Sequence, residues 1–229
     1  MKINVFLPCK KSSSRVKNKN KRRFADEYLG LIKIKLNQLL KTKLINYIYL
    51  STNDEKIIKL ARSLKKKKII IHKRKDASLS TGKTVTQKLI NHASEIMPDG
   101  HILWTHVTSP FVDEKIYNKA IRKYKTMNRN RFDSLMTVTK LKGFIWDDLK
   151  SINYNYKKTK WPKTQEIKPL NKINSAIFLS SKKNYAKYKN RIGKKPFLFD
   201  LQRHVGLDID DIEDFYLAEF LFRNKKKYR

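Results

Sequence analysis

Hydrophobic and polar positions alternate along the chain with two different periods. Short apolar runs predict buried strands, and segments with an apolar residue at every third or fourth position predict amphipathic helices. The predicted strands are Ile3–Pro8, Asn46–Ser51, Lys68–His72, Ile102–Val107, Ser134–Thr139 and Ile173–Ser180. The predicted helices are Tyr28–Lys41, a helix capped by Thr52–Asp54 that runs to Arg62, Thr84–Ile96, Asp113–Lys125, a short helix near Lys182–Lys189, and Asp211–Arg223.

This alternation of strands and helices predicts the fold class. It is typical of a mostly parallel sheet with helices on both faces, so we expect one three-layer α/β/α domain over residues 1–229. Ligands of such sheets bind beyond the carboxyl ends of the strands. The loops that begin at Pro8, Ser51, Lys73 and Val107 are therefore the first places where we expect a functional site.

The segment Lys140–Lys172 interrupts the alternation. It is rich in Trp, Asn, Tyr, Pro and Lys, and it has no sustained hydrophobic period. Ordinary connections between elements are much shorter. We therefore expect this segment to protrude, to cover a site or to contact a partner subunit.

The net charge of +34 arises from 54 basic and 20 acidic residues. Nucleic-acid-binding proteins often have such a charge. Here, however, the lysines are spread along the whole chain, and Lys, Asn, Ile and Tyr are abundant together, as an A/T-rich coding sequence would also produce. We interpret the charge as a solvated, lysine-rich surface, and nucleic-acid binding remains the alternative.

Cysteine content and apolar run length indicate the compartment. Cys9 is the single cysteine, which excludes a disulfide within the chain and suits a reducing cytoplasm. No apolar run approaches the roughly 18–20 residues that a membrane-spanning helix needs. We therefore expect a cytoplasmic protein that does not span a membrane.

The loop after the first predicted strand combines cations with hydroxyl and amide groups. The cations are Lys10, Lys11, Arg15, Lys17 and Lys19, and the polar residues among them are Ser12, Ser13, Ser14, Asn18 and Asn20. Donors that converge on several oxygens at a strand end suit a triphosphate. The loop is not a Walker A loop, because residues 8–24 contain no glycine. The alternative is a solvated basic loop without a ligand.

A pair of carboxylates, Asp208 and Asp210, precedes the last predicted helix within the sequence GLDIDDIE. Side chains two residues apart in an extended segment point to the same side. Magnesium takes such carboxylates together with water and phosphate oxygens. The alternative is that Asp210 or Asp211 caps the helix, and both roles coexist if Asp211 is the cap.

Five segments resemble motifs of the acylneuraminate cytidylyltransferases. Leu7–Asn20 (LPCKKSSSRVKNKN) resembles the family's P-A-R-x-G-S-x-R-I-P-x-K-N. Leu50–Glu55 (LSTNDE) is similar to V-S-T-D-D-E, and His106–Phe111 (HVTSPF) to Q-P-T-S-P-L. Ile173–Phe178 (INSAIF) is similar to N-G-A-I-Y, and Leu207–Asp210 (LDID) to I-D-I-D. Each motif is weak alone, but five in the family's order along nearly the full length are strong evidence.

The resemblance implies a Rossmann-like nucleotidyltransferase fold and a reaction. CMP would be transferred from CTP to the anomeric hydroxyl of a nine-carbon 2-keto sugar acid, such as sialic, legionaminic or pseudaminic acid, with release of pyrophosphate. The family also forms homodimers in which an arm reaches the neighbour's site, which suits Lys140–Lys172 as a dimerisation and sugar-site segment.

The resemblance also implies roles for individual residues. Lys10, Arg15 and Lys19 would hold phosphate charge, and Mg²⁺ would bind Asp208 and Asp210. The residues that would surround the nucleotide are Ser13, Asn20, Arg74 and His106.

Four positions depart from the family motifs. Lys10 replaces an arginine, Ser12 a glycine, Lys17 a proline and His106 a glutamine. Lysine keeps the charge of arginine but loses its bidentate geometry. The alternatives that stay open are a synthetase for an eight-carbon keto-deoxy sugar acid, a basic nucleic-acid-binding protein, and a family member that binds nucleotide without turnover.

Overall fold

The computed structural model describes residues 1–11, 13–75, 77–79 and 85–224. These residues form strands β1 (Ile3–Cys9), β2 (Ile48–Thr52), β3 (Ile69–Lys73), β4 (His101–Trp104), β5 (Ser134–Leu141), β6 (Leu170–Ser181) and β7 (Pro196–Asp200). They also form helices α1 (Gly30–Lys41), α2 (Glu55–Ser63), α3 (Thr86–Ile96), α4 (Glu114–Thr126), α5 (Lys182–Tyr188) and α6 (Ile212–Arg223). Short 3-10 turns cover Ala77–Leu79 and Thr164–Glu166.

The strands form one sheet in the order β3-β2-β1-β4-β6-β5-β7. Strands β1 to β4 are parallel, and so are β5 and β7, whereas β6 runs antiparallel to both β4 and β5. The register pairs Trp104 with Phe178. Because β6 is antiparallel, its residues before Phe178 extend past the carboxyl end of β4. The middle of this long strand thus lies beside the strand ends where a ligand was expected.

Helices cover both faces of the sheet, as the predicted α/β/α class requires. Along β1, Val5 and Leu7 face the larger apolar core, which α1, α2, α4 and α6 complete. Phe6 faces the opposite way, into a smaller core with Ile90 of α3 and Tyr185 of α5. This alternation follows from the two-residue period of a strand.

Aspartate caps fix the starts of three helices near the predicted positions. Asp54 accepts a hydrogen bond from the amide of Lys56 at the start of α2, and Asp113 does the same for Lys115 and Ile116 in α4. Helix α1 begins two residues later than predicted, because Leu29 has a left-handed backbone with φ 59°. The predicted start of α3, Thr84, lies outside the described residues.

The hydrophobic pattern did not predict one strand, and it predicted too short a range for another. Strand β7 pairs with β5 at the edge of the sheet, and its five residues follow two lysines and begin with a proline, which weakens the strand pattern. Strand β6 begins at Leu170 and not at Ile173. The ends of the irregular segment Lys140–Lys172 therefore belong to β5 and β6. None of the helices formed by the described residues is long and apolar enough to cross a bilayer.

Candidate active site

The carboxyl ends of β1, β3 and β4 border one cavity of about 460 Å³. All nine side chains that the sequence analysis assigned to a site line it: Lys10, Ser13, Arg15, Lys19, Asn20, Arg74, His106, Asp208 and Asp210. The cavity thus joins residues that are up to 200 positions apart. Their roles in catalysis stay predictions, but the geometry brings them together. Ser12, one of the departures from the family motif, lies outside the described residues.

Two of these side chains shape the end of β1. Asn20 donates its Nδ2 to the carbonyl of Lys10 at 2.9 Å, and Arg74 donates to the carbonyl of Cys9 at 3.0 Å. Arg74 is buried, and burial lowers its pKa. Its Nε is also buried and has no hydrogen-bond partner among the described residues. Both side chains therefore hold the backbone of the basic loop in place, and Arg74 keeps one donor for a ligand.

Lys19 connects the basic loop to the acidic segment before α6. Its Nζ donates to the carbonyl of Ile209 at 2.6 Å and lies 3.4 Å from the carbonyl of Asp210. Burial lowers the pKa of Lys19, and the carboxylates of Asp210 and Asp208 oppose that shift. Beside it, Arg15 donates to Asp210 Oδ1 at 2.8 Å in an exposed ion pair. The loop after β1 and the acidic pair are thus held against each other.

Asp208 is the more buried of the two carboxylates. Burial raises its pKa, whereas a hydrogen bond from Thr108 opposes the shift. Its Oδ1 is buried and has no hydrogen-bond partner among the described residues. A buried carboxylate oxygen is costly without a donor or a cation. Asp208 and Asp210 are therefore the residues of this cavity that fit a metal ion.

The helix cap belongs to Asp211. Its side chain accepts a hydrogen bond from the amide of Asp214, and the Asp214 carboxylate accepts from the amides of Asp210 and Asp211. This reciprocal arrangement is a capping box. Because Asp211 supplies the cap, the carboxylates of Asp208 and Asp210 are not needed for it.

The glycine at position 206 allows the acidic segment to approach β5 and β6. A Cβ at Gly206 would overlap the side chains of Thr139 and Asn174, so only glycine fits there without a shift. Ser175 lines the cavity with φ 58°, in the left-handed region. Glycine adopts that conformation without strain, and the family motif has glycine at this position.

Sequence analysis missed Arg191, which also lines the cavity. Its guanidinium lies 3.7 Å from the ring centroid of Phe178 and 5.4 Å from that of Trp104. His106 Nε2 accepts a hydrogen bond from Trp104 Nε1 at 2.8 Å, and Arg191 lies 3.3 Å from the same nitrogen. Arg191 follows α5 in a lysine-rich turn without a motif, so only the packing against β4 and β6 identifies it.

A Rossmann-like sheet with a cation-rich loop after β1, facing two carboxylates across one cavity, is the arrangement of a nucleotidyltransferase. The family model described as cytidylyltransferase matches residues 5–228. The chain therefore belongs to the cytidylyltransferase family, as the five motifs predicted.

Two relatives are of the kind that the motifs indicated. The N-acylneuraminate cytidylyltransferase of Escherichia coli is 24% identical over 237 residues, which cover 100% of this chain and 54% of that protein. This chain thus spans about half the length of the Escherichia coli relative. The pseudaminic acid cytidylyltransferase of Campylobacter jejuni is 22% identical over 232 residues, with 97% of each chain covered.

Solved structures share the fold at low sequence identity. A CMP:2-keto-3-deoxy-manno-octonic acid synthetase complexed with CTP has a TM-score of 0.66 at 10% identity, with 98% of this chain and 100% of that chain covered. A 4-diphosphocytidyl-2C-methyl-D-erythritol synthase from Anaerococcus prevotii has a TM-score of 0.63 at 16% identity, with 97% and 96% covered. These likenesses confirm the predicted α/β nucleotidyltransferase fold.

Proposed function

We propose that this protein transfers CMP from CTP to a nine-carbon 2-keto sugar acid of the sialic or pseudaminic acid type and releases pyrophosphate. The observation that carries the proposal is the contact of Arg15 and Lys19 with the segment of Asp208 and Asp210, which sets a cation-rich loop against two carboxylates. The named substrates of the two relatives support the choice of a sugar acid. A single, buried Cys9 suits a reducing cytoplasm, where we place the reaction.

In this reaction the anomeric hydroxyl of the sugar acid attacks the α-phosphorus of CTP. An oxygen–phosphorus bond forms, the bond to the β-phosphate oxygen breaks, and the hydroxyl proton leaves. Lys10, Ser13 and Arg15 would hold the oxygens of the triphosphate, whose negative charge needs converging cations and donors. Lys19 would keep the acidic segment in place through its contact with the Ile209 carbonyl.

Arg15 would exchange partners when CTP binds. Its side chain is 63% exposed and that of Asp210 is 54% exposed. Exposed ion pairs contribute at most about 1 kcal/mol, so the separation of this pair costs little. Separation would free the Arg15 guanidinium for phosphate and the Asp210 carboxylate for a cation.

Magnesium fits the two carboxylates. The buried Oδ1 of Asp208 lacks a partner among the described residues, and a cation would satisfy it. Across residues 1–11, 13–75, 77–79 and 85–224, no group of three or more His, Cys, Asp or Glu side chains is placed to hold a metal. Asp208 and Asp210 would therefore share the ion with phosphate oxygens and water, as magnesium usually does. When bound, the ion would neutralise phosphate charge.

The segment between β5 and β6 would contact a second copy of the chain. Its aromatic rings pack on one another, with Phe144 against both Tyr154 and Trp161. Much of the apolar surface of this segment remains in solvent, because Leu149 is 89% exposed and Trp161 is still 74% exposed. Residues 140–172 would thus form a dimer arm that reaches the sugar site of the partner.

Light scattering tests the arm, because the parent should be a dimer. Replacement of residues 142–169 by a short loop should give a monomer whose affinity for the sugar acid falls more than its affinity for CTP. A monomeric parent would refute the arm.

A pyrophosphate-release assay tests the reaction itself. CTP should support turnover with sialic, legionaminic or pseudaminic acid in preference to other triphosphates. Asp208→Asn and Asp210→Asn should each abolish magnesium-dependent turnover and leave the fold intact. Asp211→Asn is the matched control, because asparagine caps a helix as well as aspartate does, and it should stay active. Equal thermal stabilisation by all four triphosphates, with none turned over, would refute the proposal.

A further inference from the structure

Arg191 is a partly buried cation on the cavity wall. Burial lowers its pKa, and its guanidinium lies against the rings of Phe178 and Trp104. None of the ion pairs formed by the described residues includes it. A guanidinium carries five N–H donors, and the described contacts use one, toward His106. A partly desolvated charge without a close counter-ion is unfavourable, so this cation suits an anionic ligand.

The contact of Arg191 with His106 is weak, because another donor already occupies the acceptor nitrogen. The indole N–H of Trp104 is only a donor, so His106 Nε2 must be the acceptor of their 2.8 Å hydrogen bond. Burial and the nearby Arg191 lower the pKa of His106 to about 3, so the ring is neutral and carries its proton on Nδ1. The single lone pair of Nε2 is thus already used by Trp104. Arg191 lies farther away, at 3.3 Å, and a ligand can take this donor.

The sheet order separates Arg191 from the end of the cavity near β3. Arg74 follows β3, the cation-rich loop follows the central β1, and His106 follows β4, beside the antiparallel β6 whose Phe178 supports Arg191. Asp208 lies near this side, because Thr108 of the loop after β4 hydrogen-bonds it and its charge acts on Arg191. An anion that meets Arg191 therefore lies on the opposite side of the cavity from Arg74.

The chemistry of the acceptor identifies that anion. In a 2-keto sugar acid, the carboxylate is bonded to the carbon that carries the attacking hydroxyl. A cation next to the reaction centre, beyond the loop that holds the triphosphate, would meet this carboxylate. We propose that Arg191 binds the carboxylate of the sugar acid and thereby selects acids over neutral sugars, an inference that rests on the proposed function. Its stacking on Phe178 fixes the plane of the guanidinium, which favours two parallel hydrogen bonds to a carboxylate.

Steady-state kinetics with three variants test this role. Arg191→Gln should raise the KM for the sugar acid about 10- to 100-fold, the loss expected for a charged hydrogen bond, while the KM for CTP changes by less than about twofold. Arg191→Lys should restore part of the affinity, because lysine keeps the charge without the fork. Lys194→Gln is the matched control: it removes one exposed charge three residues away, outside the cavity lining, and should leave both KM values unchanged.

A substrate analogue provides a second readout, and its measurement on the parent needs no variant. The parent should use the sugar acid far better than its C1 carboxamide, whereas Arg191→Gln should use both about equally. An equal loss of CTP and sugar-acid affinity in Arg191→Gln would overturn the assignment in favour of a phosphate contact. Unchanged KM values, or a parent that does not distinguish acid from carboxamide, would reduce Arg191 to a packing residue. A parent that binds CTP but turns over no sugar acid would refute the proposed function itself, and this inference with it.

Discussion

Replacement of the buried Lys35 by methionine should destabilise the loop that follows β4. Lys35 lies in α1 and is 0% exposed. Its Nζ donates to the carbonyls of Ser109 at 2.9 Å and Val112 at 3.2 Å, and to the hydroxyl of Tyr117 at 2.9 Å. Methionine has a similar length and no donor. The change therefore removes two hydrogen bonds between α1 and this loop, which carries Thr108, and one between α1 and α4.

The size of the effect follows from these contacts. The Tyr117 hydroxyl keeps its hydrogen bond with Thr105 at 2.6 Å, so two backbone carbonyls lose a donor. Each buried acceptor left without a donor costs about 1–3 kcal/mol. Removal of the buried ammonium offsets part of this loss, because its desolvation was unfavourable. We expect Lys35→Met to lower the free energy of unfolding by about 2 kcal/mol at pH 7.

The difference should grow with pH. Burial lowers the pKa of Lys35 from 10.5 to about 7, partly opposed by Asp113. Between those values the unfolded chain binds more protons than the folded one, so the stability of the parent rises with pH. The variant lacks this titration, and the gap should widen by about 3 kcal/mol between pH 7 and pH 9.5. Burial raises the pKa of Tyr117, so its hydroxyl stays neutral in this range. Below pH 7 Lys35 is charged in both states, and the gap should stay constant.

Urea unfolding at pH 7 and pH 9.5, followed by circular dichroism, measures both effects. Lys33→Met is the matched control on the same helix, because Lys33 forms only an exposed pair with Glu27 at 2.8 Å. Its effect should stay below about 1 kcal/mol at both pH values. The reasoning is refuted if Lys35→Met is as stable as the parent, or if the gap does not change with pH.

Three further pairs of substitutions test the site. Ser175→Gly should raise the free energy of unfolding by about 0.5–1 kcal/mol, because glycine adopts the left-handed backbone without strain; Ser175→Ala keeps the Cβ and should not, and equal urea midpoints for both would contradict this. Gly206→Ala should lower the free energy of unfolding by about 1–3 kcal/mol and lower turnover, since its Cβ would overlap the Thr139 hydroxyl. A second change, Thr139→Ala, should recover part of the lost stability. If nothing is recovered, the strain lies elsewhere. Lys10→Ala should lower turnover by about 10²–10³, whereas Lys10→Arg should equal or exceed the parent; an arginine variant as inactive as the alanine variant would mean that the loop alignment is wrong.

The sequence alone predicted the six helices, every strand except β7, the family, and nine side chains that line the cavity. The period of hydrophobic residues depends on local structure. The strands and helices with several hydrophobic repeats were therefore predicted within a few residues of their bounds in the structure. The two segments that carry most of the chemistry, residues 10–20 and 208–210, were visible because their side chains form motifs of contiguous residues. The cap at Asp211 was one of two candidates, and only the structure chose between them.

Tertiary structure decided which side chains are buried and which distant segments meet. Lys35 lies in a helix buried around most of its circumference, so no periodic pattern distinguishes it from a surface lysine. Lys19 is predicted to hold phosphate, and the structure adds a hydrogen bond from its ammonium to the Ile209 carbonyl that the sequence did not indicate. Arg191 belongs to no motif and reaches the cavity only because β6 runs antiparallel beside β4 and presents Phe178 beneath it. The order and direction of the strands set such contacts. Strand order depends on pairings between residues far apart in the chain, and local periodicity does not encode those pairings.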